Sequence, residues 1–187
     1  MLQTGYVLTK PIKIASKLAG LANAHHCLQR YNTKASMEYS MDEYWNVMVP
    51  ELTVIDFNTS LVFYTEILGF SVRNQRTDPN FAYLEQGKIQ IMIDQYHENG
   101  WNVAKLSPPF GRGVNFQIEL SDIEPILERI NNTQIKLYRD AKESWYDTGE
   151  TLSGQKEFLI QDPDGYMLRF TQYLGEKTKD ITVSVVL

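Results

Sequence analysis

The sequence predicts an α+β domain built from two copies of a β-α-β-β-β unit. Short runs in which apolar and polar residues alternate are typical of half-buried strands. Each copy places an aspartate, Asp56 or Asp122, between the first strand and a helical pattern, and each has a glycine at a later turn, Gly87 or Gly165. These landmarks are 31 and 43 residues apart, so the second copy carries about 12 extra residues.

The first copy opens with a strand and a helix. We expect the helix over residues 58–68, opened by Asn58, Thr59 or Ser60 and ended by Gly69. The last two strands of the copy are joined by a turn at Gly87. The predicted strands are 51–55, 70–75, 80–85 and 88–94.

The second copy repeats this order. Val114, Phe116 and Ile118 alternate with polar residues, which predicts a strand over 114–120. The helix that follows has its apolar residues at i, i+3, i+4 and i+7, namely Ile123, Ile126, Leu127 and Ile130. Asp122 is the expected N-cap, which leaves Pro125 in the first turn, where proline is tolerated. Three more strands are predicted at 134–138, 157–161 and 166–173.

The extra residues of the second copy fall between Asp140 and Gly154. Binding groups often lie on inserted loops, so Trp145 and Tyr146 are candidate walls of a ligand cavity. An equally good interpretation is that this aromatic pair packs over the sheet or against a second subunit.

Composition and charge narrow the class of function. No apolar run approaches the roughly 20 residues of a membrane-spanning helix, so we expect no membrane partner. The single cysteine, Cys27, excludes an internal disulfide, and we expect a cytoplasmic protein. All acidic residues lie after position 37, and this acidic body argues against nucleic acid as a partner while being compatible with a cationic ligand.

We divide the chain into three parts. Residues 1–47 contain no repeat feature, and we expect a weakly ordered extension or one that is not native to the protein. Residues 48–174 form the predicted domain, and residues 175–187 are a tail or an added edge strand. Consecutive residues rarely bind one ion, so His25, His26 and Cys27 are interpreted as incidental.

The stretch from Asp162 to Tyr173 carries a family resemblance. Asp-Pro-Asp-Gly at 162–165 predicts a tight hairpin turn, and Tyr-Met-Leu-Arg-Phe follows it as a strand. This hairpin resembles the closing hairpin of the vicinal-oxygen-chelate (glyoxalase/bleomycin resistance protein/dioxygenase) superfamily, in particular its bleomycin-resistance branch. Residues 49–56, Ser60, Phe63-Tyr64, 68–70 and 111–116 resemble the superfamily in the expected order.

The resemblance implies two curved mixed sheets that form a cleft, with the helices on the outer face. With strand alternation, the side chains expected to face the cleft are Glu51, Thr53, Asn115, Gln117, Glu119, Arg169 and Thr171. The candidate ligand-binding residues combine several of these with aromatic side chains that could stack on a flat ligand: Glu51, Phe81, Tyr83, Asn115, Gln117, Trp145, Tyr146, Phe158 and Arg169.

The enzymes of the superfamily are expected to hold a divalent ion on this face through His, Gln or Glu. The corresponding positions here are Val49, Ile91, Asn115 and Arg169. A shift of one residue in the first hairpin would replace Ile91 with Gln90 or Met92. Because Arg169 places a permanent cation where the ion would lie, we expect no metal and no other cofactor. Glu51 and Glu119 leave a carboxylate site as an alternative.

The resemblance finally implies a function. Proteins of the bleomycin-resistance branch are non-enzymatic and sequester a cationic glycopeptide antibiotic in crevices at a homodimer interface. We therefore expect drug binding, no catalytic residues and a homodimer. The alternatives are a metal-dependent enzyme of the glyoxalase or dioxygenase type and a binder of an unrelated small molecule.

Overall fold

The computed structural model describes residues 45–179 and contains the two predicted β-α-β-β-β modules. The first module consists of β1 Glu51–Val54, α1 Phe57–Val62 with a π-helical turn Phe63–Ile67, β2 Ser71–Thr77, β3 Asn80–Gln86 and β4 Ile89–Gln95. The second consists of β5 Asn115–Leu120, α2 Glu124–Asn131, β6 Arg139–Asp147, β7 Thr151–Gln161 and β8 Met167–Thr178. The predicted α+β class and the internal repeat are confirmed.

Each module forms one four-stranded mixed sheet. The strand orders are β1-β4-β3-β2 and β5-β8-β7-β6, so the two sheets have the same topology. The first strand of each module runs parallel to the last, and the other pairs are antiparallel. A parallel neighbour requires a crossover connection, which begins in each module with the helix.

The first helix begins earlier than predicted. Asp56 is its N-cap, because the carboxylate accepts a hydrogen bond from the Thr59 N–H at 3.0 Å. The helix therefore starts at Phe57 rather than at Asn58. Its end is a π-helical turn in which the Leu68 N–H donates to the Phe63 carbonyl at 3.1 Å.

The second helix differs from the prediction only in its cap. Ile123 occupies the N-cap position. Asp122, one residue before it, still contributes, because its carboxylate accepts a hydrogen bond from the Glu124 N–H at 2.9 Å. Pro125 lies in the first turn, as predicted. The apolar stripe of this helix is buried, as its spacing indicates.

The extra residues of the second copy lengthen a hairpin instead of forming an inserted loop. The predicted strand at 134–138 is absent, and β6 starts at Arg139. Asp147 and Gly149 make the turn, since the Asp147 carboxylate accepts from the Gly149 N–H at 2.8 Å and Gly149 has φ +102°. Because β7 is long, β8 pairs with it as far as Thr178, beyond the predicted end of the strand.

One apolar core joins both modules. The inward faces of the two sheets and the helices contribute to a single cluster. Phe158 on β7 and Phe170 on β8 stack in it with ring centroids 5.2 Å apart, and both are fully buried. The opposite, open face of each sheet therefore points away from the common core.

Polar contacts also connect the modules. The Asp164 carboxylate of the closing hairpin accepts from the Ile55 N–H at 3.1 Å and from the Ser60 hydroxyl at 3.3 Å. From α2, the Arg129 Nε donates to the Ile67 carbonyl at 2.7 Å. Side chains of the second module thus satisfy backbone groups of the first, after the end of β1 and at the end of its helix.

The predictions for the N-terminal extension, including His25, His26 and Cys27, lie outside the described residues, as do residues 180–187. Within residues 45–179, none of the helices is both long and apolar enough to cross a membrane.

Candidate functional site

The open face of the second sheet carries a pocket of about 290 Å³. Cross-strand pairing builds it, since Gln117 lies beside Arg169 and Thr171 lies beside Glu157. Tyr146 on β6 and Gln155 on β7 complete the wall. We call this the Arg169 pocket; its lining residues are Gln117, Tyr146, Gln155, Glu157, Arg169 and Thr171.

The guanidinium of Arg169 is held by two neighbours. Its Nη2 donates to the Gln117 side-chain oxygen, and its Nη1 lies 3.9 Å from a Glu157 carboxylate oxygen. The Tyr146 hydroxyl donates to the other Glu157 oxygen at 3.2 Å. The charge at the floor of the pocket is therefore compensated, and the arginine has a fixed orientation.

Three buried polar atoms of the residues that line this pocket have no hydrogen-bond partner. They are the Gln155 Oε1, the Arg169 Nε and the Thr171 Oγ1. Within residues 45–179, only two other buried side-chain atoms are in this condition, on Gln86 and Asp94. An unpaired buried polar group costs about 1–3 kcal/mol, so these three atoms lower the stability of the protein at this point of the second sheet.

The open face of the first sheet is aromatic and acidic. Phe81 and Tyr83 on β3 lie on this face and are 9% and 8% exposed. The Arg76 guanidinium lies 4.2 Å from the centroid of the Phe81 ring and 3.7 Å from a carboxylate oxygen of Asp94. His97 approaches the other Asp94 oxygen at 3.5 Å.

Glu51 is the second carboxylate of that face. Partial burial raises its pKa, the nearby Asp94 raises it further, and Arg76 lowers it. Two carboxylates that repel one another in this way favour the arrival of a positively charged group.

The structure divides the predicted ligand-binding residues between these two faces. Gln117, Tyr146 and Arg169 meet in the Arg169 pocket. Asn115 lies at the start of β5 beside Met167 and lines a shallower depression formed by residues 109–115. Glu51, Phe81 and Tyr83 lie on the first sheet instead.

Two of the predicted residues are on the wrong side of the second sheet. Phe158 is fully buried in the core, because β7 alternates and directs Glu157 to the open face. Trp145 points to the face opposite Tyr146; its ring covers Gly154, where an added Cβ would lie 2.6 Å from the indole, and Lys177 Nζ lies 3.5 Å from the ring centroid.

Two lining residues were not predicted. Gln155 and Glu157 precede Phe158 on β7 by three and one positions, so their side chains lie on the face opposite Phe158 and reach the pocket. The strand was predicted to begin only at residue 157. Counting the alternation backwards from Phe158 would have identified both.

The residues at the superfamily's metal positions do not fit an ion. Of the four positions predicted by counting, Asn115 lies beside Met167 rather than beside Arg169. The open-face pairs that the strands form are instead Glu51 beside Met92 and Gln117 beside Arg169. Ile91, the position predicted by counting, is buried in the core, so Met92 is the open-face counterpart. A thioether, an amide and a cation are poor partners for one carboxylate at a divalent ion. In the part of the chain that the structure describes, no three His, Cys, Asp or Glu side chains form a group that could hold a metal.

Comparisons with known proteins agree with this fold. Residues 46–170 match the family described as the Glyoxalase/Bleomycin resistance protein/Dioxygenase superfamily. A bleomycin resistance protein from Geobacillus stearothermophilus is 24% identical over 135 residues, covering 67% of this chain and 96% of that protein. Virulence protein STM3117 from Salmonella typhimurium is 28% identical over 145 residues, covering 75% and 96%.

Solved structures show the same architecture. The crystal structure of virulence protein STM3117 is 26% identical, covers 70% of this chain and 98% of that chain, and has a TM-score of 0.50. TioX from Micromonospora sp. ML1 has a TM-score of 0.54 at 17% identity, covers 70% and 100%, and is similar in fold. The chain therefore belongs to the glyoxalase/bleomycin resistance protein/dioxygenase superfamily.

Proposed function

We propose that this chain is a non-enzymatic, cytoplasmic binding protein that sequesters a bleomycin-type cationic glycopeptide antibiotic. The observation that carries the proposal is the position of Arg169. Its guanidinium, bound to Gln117 and close to Glu157, occupies the place where enzymes of the superfamily are expected to hold a divalent ion. A protein with this arrangement retains a ligand surface but lacks the Lewis acid on which those enzymes rely.

The two open faces carry acidic and aromatic side chains, which are the groups that a cationic drug with flat rings would bind. Glu51, whose pKa is raised mainly by partial burial, and Asp94 are the carboxylates of the first sheet that can pair with a positive charge. Tyr146, which is 47% exposed, offers a ring on which a flat heterocycle can stack. Relatives named bleomycin resistance proteins support the same ligand class.

We infer a homodimer from the position of these faces. The open face of each sheet lies opposite the face that packs into the common core, and is therefore available to a second protomer. We infer that the first sheet of one protomer faces the second sheet of its partner, and that two equivalent crevices form at the interface.

Calorimetric titration of the full chain with metal-free bleomycin tests the proposal. We expect saturable binding near one drug per subunit, a dimer by light scattering, and protection of DNA in a bleomycin cleavage assay. Elemental analysis of the same preparation is the control. Absence of drug binding together with one tightly held divalent ion per subunit would contradict the proposal and favour a metal-dependent enzyme.

The adjacent aromatic residues of β6 provide a matched pair of variants. Tyr146 lines the Arg169 pocket, so Tyr146→Ala is expected to weaken drug binding about tenfold. This factor corresponds to the loss of roughly 1.4 kcal/mol of binding free energy from contacts with the ring. Trp145 lies on the other face, so Trp145→Ala should change the dissociation constant less than about twofold. Titration calorimetry measures both, and equal losses would show that the ligand does not bind on the open face.

A further inference from the structure

Two exposed tyrosines lie on the strands that flank β7 in the second sheet. Tyr146 on β6 is 47% exposed and Tyr173 on β8 is 49% exposed. On the open face of the first sheet the aromatic side chains are covered, since Phe81 and Tyr83 are 9% and 8% exposed. Among the described strand residues of the two open faces, the rings that a ligand can reach are therefore those of Tyr146 and Tyr173.

Strand pairing places Tyr173 on the same face as the Arg169 pocket. It lies directly across from Gln155, which lines that pocket. Its neighbour Gln172 points to the other side, where its side-chain oxygen accepts from the Ile123 N–H at the start of α2 at 3.2 Å. Because side chains alternate along a strand, Tyr173 points to the open face.

The two tyrosines lie at the same level along β7. Tyr146 starts across from Ser153, but its hydroxyl donates to Glu157, so its ring runs along β7 past Gln155. Tyr173 lies across from Gln155 on the other side of the strand. Since β7 separates β6 from β8, the backbones that carry the two rings are about 9.6 Å apart, which is two strand spacings.

This spacing suits a third ring between the two tyrosines. Two rings in direct contact have centroids about 4.5–7 Å apart, whereas a planar group stacked between two rings separates their centroids by roughly twice that distance. The separation of β6 and β8 falls in the second range. The pair therefore leaves room for one planar group above Gln155.

We propose that a planar aromatic group of the ligand stacks between Tyr146 and Tyr173, with Gln155 beneath it. The adjoining Arg169 pocket has a volume of about 290 Å³, which suits one part of an antibiotic rather than the whole molecule. The hydrogen bond to Glu157 already fixes the Tyr146 ring, so less side-chain entropy is lost on binding. The inference rests on the proposed function in taking the open face of the second sheet as the ligand surface, and it adds Tyr173 as a binding residue.

Variants of Tyr173 test the stacking by calorimetric titration of the full chain with metal-free bleomycin. Tyr173→Ala is expected to weaken binding about tenfold, whereas Tyr173→Phe, which keeps the ring, should weaken it less than about twofold. Tyr138→Ala removes another exposed tyrosine, just before β6, and should leave the affinity unchanged. An unchanged affinity of Tyr173→Ala, or equal losses in the Ala and Phe variants, would overturn the inference.

The double variant Tyr146→Ala with Tyr173→Ala shows whether both rings contact the same group. If one planar group is stacked between them, the loss of either ring releases that group, and the second substitution costs little more. The combined loss of affinity should therefore be smaller than the product of the two single losses by a factor of about three or more. A combined loss equal to that product would mean that the two tyrosines contact separate parts of the drug and would contradict the inference.

Benzyl alcohol and cyclohexylmethanol test the preference for a planar group without the drug, because they carry the same substituent on a planar and on a puckered ring. Each is titrated into the full chain and followed by NMR of the labelled protein. We expect benzyl alcohol to bind in the millimolar range and about threefold or more tightly than cyclohexylmethanol, with the largest shifts at Tyr146, Gln155 and Tyr173. Equal binding of the two alcohols, or no binding of benzyl alcohol, would overturn the inference.

These measurements separate the inference from the proposed function. If bleomycin binds and Tyr173→Ala leaves its affinity unchanged, the drug is sequestered but no group of it stacks between the two tyrosines. If benzyl alcohol binds with the expected preference and bleomycin does not bind, the stacking site stands and the antibiotic is the wrong ligand.

Discussion

Gly165→Ala is expected to lower the free energy of unfolding by roughly 3 kcal/mol or more. Gly165 has φ +101°, a conformation that alanine rarely adopts. An added Cβ would also lie 2.8 Å from the Cα of Pro109 and closer still to its Cβ. Because Pro109 Cα is backbone, the contact cannot be relieved by a side-chain rotation.

The equivalent turn of the first module provides the control. Gly87 also has a positive φ, of +60°, but a Cβ there meets no atom within 4 Å. Gly87→Ala should therefore lower the free energy of unfolding by only about 1 kcal/mol. This is the cost of a positive φ for alanine, without a steric overlap of the added Cβ. Urea unfolding of both variants measures the difference. Similar losses in the two proteins would show that residues 108–110 move freely away from the hairpin.

The stability of the protein is expected to fall as the pH rises from about 4 to about 7. Burial raises the pKa of Asp162 to about 7, although hydrogen bonds from the Tyr166 and Gly165 N–H groups oppose the rise. Burial also raises the pKa of Asp164. The folded protein then binds more protons than the unfolded chain across this window, so stability is highest at its acidic end. For Asp162 the loss amounts to up to about 4 kcal/mol.

Asp162→Asn isolates this contribution. The asparagine keeps an oxygen that can accept from the backbone N–H groups of Asp164, Gly165 and Tyr166, but it cannot ionise. The slope of unfolding free energy against pH should become markedly flatter, with the part due to Asp164 remaining. Asp140→Asn, an exposed site on β6, should leave the slope unchanged. An Asp162→Asn protein with the original slope would mean that the buried carboxyl does not titrate in this window.

Residues whose environment depends on one strand or one helix were predictable. The alternation of Val114, Phe116 and Ile118 located β5 to within a residue, and the apolar stripe of α2 is buried as its spacing indicates. Arg169 was placed on the open face by alternation along a single strand. These patterns follow from the side-chain periodicity of a single strand or helix, which can be read from the spacing of residues along the chain.

Features that depend on pairing between strands were not predictable. The length of β6 and β7 is set by how far they pair, and the prediction of a loop at 140–154 put Trp145 on the ligand side. The choice between Ile91 and Met92 required the register of β1 on β4. The contacts of Arg169 with Gln117 and Glu157 join three strands, so no spacing along the chain indicates them.

The shared core and the polar contacts between the modules bear on how this architecture could have arisen. A single β-α-β-β-β half would expose the apolar surface that the other half covers, and Asp164 or Arg129 would lose the backbone groups to which they bind. An ancestral half-length chain could therefore have been stable only as a pair of identical copies. Fusion of two such genes would have turned an association between molecules into one within a molecule, leaving each copy free to diverge: the first has Met92 at the position where the second has Arg169.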